Sequence, residues 1–289
     1  MRPASFDYHR PESLAHALSL LAELGEDARP IAAGQSLLPM MNLRLARPSH
    51  LIDISRLELG GIAMEGSFMR FGALVRHAQH LSDPLVASNL PVLRAGVAYI
   101  GHPVIRRNGT LGGSLAHADP TAELPLLCML HDARIVANSA AGERRIRAED
   151  FFLGAHTTSL DPEELLVGVE FPLPPGRCAG AFLEQSERHG DFAIAACGVM
   201  LSYSGGRVTR IAVCCSGASD VPLRAKDLER ALIGRAVSDI GAEPEIKDFV
   251  AGLDPPDNHV APAAYRQELI GVLIARALAQ ACDQALGEP

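Results

Sequence analysis

Two glycine-bearing segments carry the residue types from which an anion site can be built. In Ala32-Ala33-Gly34-Gln35-Ser36 and in Thr110-Leu111-Gly112-Gly113-Ser114 most side chains are small or absent. Backbone N–H groups can converge on a phosphate only where side chains leave such room, in a tight turn or at a helix start. A Gly-Gly pair is ordinarily just a turn, and neither segment alone decides between the two readings. Neither has the GxGxxG spacing of a nicotinamide site or the GxxxxGK[ST] of a P-loop. Hydrolytic signatures are missing too, with no GxSxG elbow and no HExxH. His77 and His80 could share a metal, but no third ligand accompanies them, and they are expected at the surface. The six cysteines, at 128, 178, 197, 214, 215 and 282, include no CxxC and no zinc-finger spacing. No metal or iron-sulfur site is expected in the chain, and Cys197, Cys214 and Cys215, lying in apolar runs, should be buried thiols.

The elements that must position these segments read as mixed α/β. After Pro11, the residues Leu14, Leu18, Leu21 and Ala22 share one face before Gly25, which predicts an amphipathic helix. A short strand over 29–33 enters the first glycine segment, and Ser36 is placed to cap a short helix. Strands are expected at 50–54 and 69–73 and a helix at 90–97. The stretch 101–114 holds so many turn residues that it reads as a long, shaped loop. Pro172-Leu173-Pro174-Pro175-Gly176 is the sharpest punctuation, and the domain boundary is expected there, giving 1–175 and 176–289. Beyond it, 193–203 and 208–215 read as a β-hairpin about Gly205-Gly206. Helices should follow at 226–233, near 240–250 and at 262–286.

The chain has 289 residues, enough for one large domain or two ordinary ones, and 34 acidic against 26 basic residues. Its formal charge of -8 argues against nucleic acid or anionic lipid as the main partner. The N-terminus does not read as a signal peptide, and the apolar run 269–281 is broken by Arg276 and Gln280. No membrane span is expected, and the expected location is cytoplasmic.

The wider wording of the two segments is more specific. AAGQSLLPMMNLRLARPSHLIDIS (32–55) and IGHPVIRRNGTLGGSLAHADPTAELP (100–125) resemble the FAD-binding medium subunit of molybdenum hydroxylases. The resemblance continues in PEELLVGVEFP (162–172), ERHGDFAIA (187–195) and YRQELIGVLIARAL (265–278). It implies an α/β (α+β) fold: an N-terminal PCMH-type FAD-binding region of two α/β subdomains, about 1–57 and 58–175, then a C-terminal sheet-plus-helices domain. It also implies noncovalent FAD. A molybdenum cofactor and iron-sulfur clusters would sit on a large and a small partner subunit, in a dimer of heterotrimers. Substrate, an N-heterocycle or other small molecule, would be hydroxylated on the large subunit. Two rivals are a self-sufficient FAD oxidoreductase and a flavin-free interaction subunit.

Carried over residue by residue, the resemblance assigns the FAD diphosphate to the segment from Ala32 through Ala33, Gly34, Gln35 and Ser36, and to Thr110, Gly112, Gly113 and Ser114. Most relatives have Gly where Ala33 stands, and many have Asn where Ser114 stands; both replacements remain small. Asp119 and Glu123 fall where a carboxylate accepts from ribose or ribityl hydroxyls. The alternatives are that Asp119 caps the turn before Pro120 and that Glu123 sits on a solvated helix start. Leu166 and Val167 would pack near the flavin. Ile100 and Phe192 would face the ring, or else be ordinary core. Some relatives place a Lys near the position of Glu184, so a lysine contact is not carried over. His102 should shape its loop rather than act as a base, and Arg106 and Arg107 either pair with phosphate or solvate the loop.

Overall fold

A computed structural model describes residues 2–241 and 244–287. The N-terminal region runs β1 (Asp7–His9), α1 (Leu14–Leu24), β2 (Ala28–Ile31), α2 (Leu37–Asn42) and β3 (His50–Asp53). Next come β4 (Ile62–Glu65), β5 (Phe68–Gly72), α3 (His77–Ser82), α4 (Pro84–Asn89), α5 (Pro91–Val97), α6 (Pro103–Asn108), α7 (Leu111–His117) and α8 (Glu123–Leu130). Then follow β6 (Arg134–Ser139), β7 (Gly142–Arg147), α9 (Ala148–Phe151), β8 (Phe152–Gly154), β9 (Thr157–Thr158) and β10 (Leu165–Pro172). The last part holds β11 (Arg177–Ser186), β12 (Ala193–Ser204), β13 (Arg207–Ser216), β14 (Leu223–Arg224), α10 (Lys226–Leu232), α11 (Pro244–Ala251) and α12 (Ala263–Gly287). Ala242 and Glu243, inside the stretch expected to be helical near 240–250, lie outside the described residues.

The first sheet is parallel, ordered β1-β3-β2, because each connection returns through a helix. Ser13 caps α1 by accepting from the His16 N–H, and Gly25, at φ 52, ends it. The apolar face of α1, Ala17, Leu18 and Leu21, packs with Ala28 and Ile52 of the sheet. The second sheet is antiparallel, ordered β4-β5-β10-β6-β7. Its central strand β10 is buried from Leu165 to Phe171, as its unbroken apolar run requires. The third, β11-β12-β13-β14, is antiparallel and covered on both faces. One face joins α5 and α8 through Phe182, Ala196 and Met200; the other lies under α12 through Val199, Leu201 and Val213. Gly96 and Gly198 allow that approach: a Cβ on either would come within 2.8 Å of Leu127 or 2.6 Å of Leu130.

α12 is long and apolar enough to cross a membrane by length and composition. Its Ile270, Leu273, Ile274, Ala277, Leu278 and Ala281 are instead buried against the third sheet. Two of the expectations fail here. The stretch 101–114 is not a loop: Pro103 occupies the first turn of α6, and Thr110 caps α7 by accepting from the Gly113 N–H. His77 and His80 are not at the surface but 4% and 0% exposed. His80 stacks on Phe71 at 5.2 Å, and Phe71 meets Phe171, whose ring edges the buried His131 at 5.7 Å. Desolvation holds all three imidazoles far below their ordinary range, His77 and His131 at about 3 and His80 at about 4. Five of the cysteines are buried and Cys178 is partly so, and no disulfide joins any of them among the described residues.

Candidate functional site

The turn joining β2 to α2 and the start of α7 border one cavity of about 450 Å³, within the range of roughly 300–1,000 Å³ common for small-molecule sites. Ala32, Ala33, Gly34, Gln35 and Ser36 line it from one side, Thr110, Gly112 and Gly113 from another, and Leu166 closes part of it. The two segments, 74 positions apart in the sequence from Ser36 to Thr110, thus share one space.

The two segments are not equivalent. In the first, Gly34 takes φ 68, which turns the chain sharply after β2. The backbone N–H groups of Ala33, Gly34, Gln35 and Ser36 have no hydrogen-bond partner among the described residues. Successive free N–H groups about a left-handed residue form a concavity that attracts an anion. Ser36 precedes α2, but its side chain makes no capping bond, contrary to expectation, because its backbone is already helical at φ -103 and ψ -47. In the second segment all the donors but the Thr110 N–H, which has no partner among the described residues, are engaged. Leu111 N–H bonds the Val75 carbonyl at 2.9 Å, Gly112 N–H the Ala73 carbonyl at 2.8 Å, and Ser114 N–H the Thr110 carbonyl at 3.0 Å. Gly113 N–H is held only by Thr110 Oγ1, at 3.2 Å. The second segment therefore offers bare surface at Gly113 rather than a ring of free donors.

Ser114 is half-buried and does not line the cavity; neither do Ile100, Asp119, Glu123, Val167 or Phe192. Leu166 and Val167 point to opposite faces of β10, so only Leu166 reaches the cavity while Val167 joins the core under α1. Asp119 closes the turn at Pro120, its Oδ1 accepting from Thr121 N–H at 2.9 Å and Thr121 Oγ1 at 2.7 Å. Glu123, the first residue of α8, is 7% exposed rather than solvated. Burial first, and Asp119 after it, push its carboxyl up to about 7, against the pull of its own backbone hydrogen bond. Glu184 on β11 has both carboxylate oxygens shut off from solvent and without a partner. Burial, then the charge of Glu123, push it up to about 8.

Ile100 belongs to the core, yet Phe192 is 64% exposed. An ordinary core role is thereby excluded for the aromatic. Its loop is rooted firmly. Arg266 of α12 donates to the Ile194 carbonyl and, at 3.0 Å, to Asn258 Oδ1. Gly190, at φ 92, lies so close to His102 that a Cβ would stand 2.8 Å from its ring. His102 thus shapes the junction between the loops at 99–102 and 187–192. Arg106 does more than solvate its loop: its Nη1 ties the 98–101 turn by donating to the carbonyls of Ile100 at 2.8 Å and Gly101 at 2.6 Å. Arg107 is exposed.

Sequence reasoning missed one cluster. His117, Asp119 and His156 bring ligand-type atoms within 4.8 Å of one another, and both histidines line the cavity. Ala118 and His156 both take positive φ, and His156 N–H bonds the Ala118 carbonyl at 2.9 Å. His156 Nδ1 lies 3.1 Å from the His117 carbonyl. Burial and the neighbouring His156 hold His117 below its ordinary range. Only the HAD triplet was visible in sequence, since the fold alone brings in the second histidine.

Comparison with known proteins gives these positions a family context. Residues 4–174 match the FAD binding domain in molybdopterin dehydrogenase, and residues 181–281 match the CO dehydrogenase flavoprotein C-terminal domain. The chain is 39% identical over 287 residues to the 6-hydroxypseudooxynicotine dehydrogenase complex subunit alpha of Paenarthrobacter nicotinovorans, covering 99% of this chain and 97% of that one. It is 36% identical over 286 residues to the carbon monoxide dehydrogenase medium chain of Afipia carboxidovorans, covering 99% of each. A solved carbon monoxide dehydrogenase from Hydrogenophaga pseudoflava superposes with a TM-score of 0.94 at 36% identity, over 98% of this chain and 99% of that one.

Proposed function

The chain belongs to the FAD-binding medium subunits of molybdenum hydroxylases, and on that premise we propose that it relays electrons from a partner's iron-sulfur clusters through FAD to an external acceptor. The observation that carries the reading is the run of four unpartnered N–H groups at Ala33, Gly34, Gln35 and Ser36 beside a cavity that the bare Gly113 also borders. That arrangement fits a diphosphate, which brings negative charge and many acceptor oxygens but needs close approach. Ala32 would pack beside it and Thr110 would hold the α7 end in place. Ser114 would support that end from the second turn. Glu123 and Asp119 would meet the sugar or ribityl hydroxyls, Leu166 the flavin, and Ile100 and Phe192 would flank the ring, with Val167 bracing Leu166 from behind. Bound FAD would supply the redox chemistry, exchanging electrons singly with clusters and in pairs with an acceptor.

The two partners in this reading are a small iron-sulfur subunit and a large molybdenum-cofactor subunit, joined in a cytoplasmic dimer of heterotrimers. An N-heterocycle is the favoured substrate class, with other small molecules the alternative, hydroxylated on the large subunit; a relative at 39% identity is named as subunit alpha of a 6-hydroxypseudooxynicotine dehydrogenase complex. We place the domain boundary at 175/176, with subdomains meeting near 57/58. The test is affinity purification from the native host with flavin and metal analysis. One acid-releasable FAD per chain, with copurifying iron and molybdenum, is expected. Flavin left on the precipitated polypeptide would refute noncovalent binding, and a metal-loaded but colourless complex would refute FAD. A stable monomer that turns over substrate would instead favour a self-sufficient flavoenzyme.

A further inference from the structure

We propose that His117, Asp119 and His156 form a site for one divalent first-row transition ion, zinc foremost, at the edge of the FAD cavity, with its open coordination positions toward the diphosphate. The ion site stands on its own residues; its orientation toward a diphosphate rests on the FAD reading above.

The three side chains come from two parts of the chain that folding locks together. His117 ends α7, Asp119 follows two residues on, and His156 stands in the turn between β8 and β9. Left-handed backbone at Ala118 (φ 48) and His156 (φ 55) brings them together, and such backbone outside glycine persists only where its surroundings hold it. Here the hold is double. His156 N–H donates to the Ala118 carbonyl at 2.9 Å, and His156 Nδ1 lies 3.1 Å from the His117 carbonyl. A carbonyl only accepts, so Nδ1 carries the proton and Nε2 keeps its lone pair, which is how a backbone carbonyl orients a metal-binding imidazole. The rings of His117 and His156 sit 4.6 Å apart. Asp119 Oδ1 takes both bonds from Thr121. That fixes the carboxylate and leaves Oδ2 two acceptor positions, one for an ion and one for a sugar hydroxyl.

One ligand atom from each residue falls within 4.8 Å of the others. Bonds of about 2.0–2.2 Å put tetrahedral zinc ligands about 3.4 Å apart, so modest side-chain rotation closes the set. Two imidazole nitrogens and one carboxylate oxygen suit zinc and its neighbours rather than magnesium or calcium, which take oxygen ligands. Three protein ligands leave a position open, and both histidines line the cavity. The cavity has use for the charge. Its described lining includes no lysine and one arginine, Arg29, whose Nη1 is turned to the carbonyls of Glu26 and Ala28, while Asp161 and Glu164 add acid. The unpartnered N–H groups of Ala33 to Ser36 are neutral donors, so a divalent ion would supply the positive charge that a diphosphate otherwise lacks here.

The full chain, freed of flavin and metal, is titrated with Co²⁺ as a coloured stand-in for zinc. One equivalent should give visible d–d bands that Zn²⁺ abolishes. His156→Asn keeps a residue that tolerates left-handed backbone, and Asp119→Asn keeps an acceptor for Thr121. Each should weaken Co²⁺ binding at least about tenfold while the metal-free chain melts as the wild type does. A wild type without these bands, or equal affinity in both variants, overturns the proposal. Orientation is tested on the purified complex. After chelation its FAD should dissociate about tenfold faster than with Zn²⁺ present, and from His156→Asn at one rate with or without Zn²⁺. A wild-type release rate indifferent to Zn²⁺ overturns the diphosphate-facing orientation. A wild-type complex without FAD overturns the reading on which that orientation rests, and the Co²⁺ titration then decides the ion site by itself.

Discussion

Phe192→Ala separates a side chain that covers a cofactor from one that fills a core. Burying a Phe completely is worth about 1.5–3 kcal/mol. With 64% of its surface still exposed, Phe192 obtains about a third of that. Truncation should therefore cost the apoprotein about 0.5–1 kcal/mol, far below the roughly 3–5 kcal/mol of a core Phe→Ala. The loop should survive, because Arg266 and the Gly190–His102 contact hold its two ends. In the holoprotein the same truncation removes an aromatic contact worth about 1 kcal/mol beyond its area, so FAD affinity should fall about fivefold. Water admitted to the ring should change its absorption envelope and shift its reduction potential. Urea unfolding of the apoprotein, fluorescence titration with FAD and a spectroelectrochemical titration measure the three quantities on one variant. A loss of 3 kcal/mol or so with an unaltered flavin spectrum and affinity would refute the reasoning, since that is the behaviour of buried core.

Gly113→Val should abolish flavin occupancy while far-ultraviolet helicity persists. The position is helical and not at positive φ, so its cause is lost space at the cavity and a Cβ 2.7 Å from the capping hydroxyl of Thr110; a normal ratio of flavin to protein absorbance would refute it. Ser36→Ala should leave apoprotein stability within about 0.5 kcal/mol, because no cap bond is lost, yet weaken FAD binding about fivefold by removing one hydroxyl contact; equal affinities by titration would exclude that contact. Acid should destabilise the protein through His77, His80 and His131. Their folded values lie below the ordinary 6.5, so the unfolded chain binds more protons once pH falls under that value, and stability present at pH 8 is lost on acidification. Linkage gives a ceiling of about 2 kcal/mol per imidazole at about pH 5. His131→Leu should flatten the urea-midpoint profile by about a third, and an unchanged profile would mean that the His131 site relaxes to admit charge.

Much of the fold could be read from local signals, and the failures have a common cause. α1 was legible because its cap, apolar face and terminating glycine all fall within one short stretch. The hairpin of β12 and β13 was legible for the same reason, with Gly205 and Gly206 both at positive φ between apolar runs. Between 101 and 114 the same turn residues misled, since Pro103 and Thr110 start helices as readily as they punctuate loops, and Gly112 is kept in a helix by its fit against Ala73. His77 and His80 were misplaced because a six-residue helix is too short to reveal which face is covered. The cover over His80 is Phe71, on a strand whose packing partner no spacing identifies. The His117, Asp119 and His156 cluster depends on left-handed backbone at two non-glycine residues, a feature that residue type does not signal.

The two glycine segments looked alike in sequence because both are small, but folding assigns them different work. Smallness in the first serves direction: Gly34 turns the backbone so that consecutive N–H groups are left over after β2 and α2 have satisfied their own. Smallness in the second serves clearance, because α7 uses its early donors on Val75, Ala73 and Thr110 and keeps only a bare approach at Gly113. A site with runs of free donors on both sides would bear many unsatisfied amides whenever the cavity lacked its anion. Concentrating them in one turn, with the Thr110 N–H alone unpartnered on the other side, limits that cost, while the docked α7 keeps the opposite wall fixed. On this reasoning, substitutions at Gly34 and Gly113 should differ in kind. The first should strain the apoprotein through its positive φ and its close contact with Leu38, whereas the second should act chiefly on what enters the cavity.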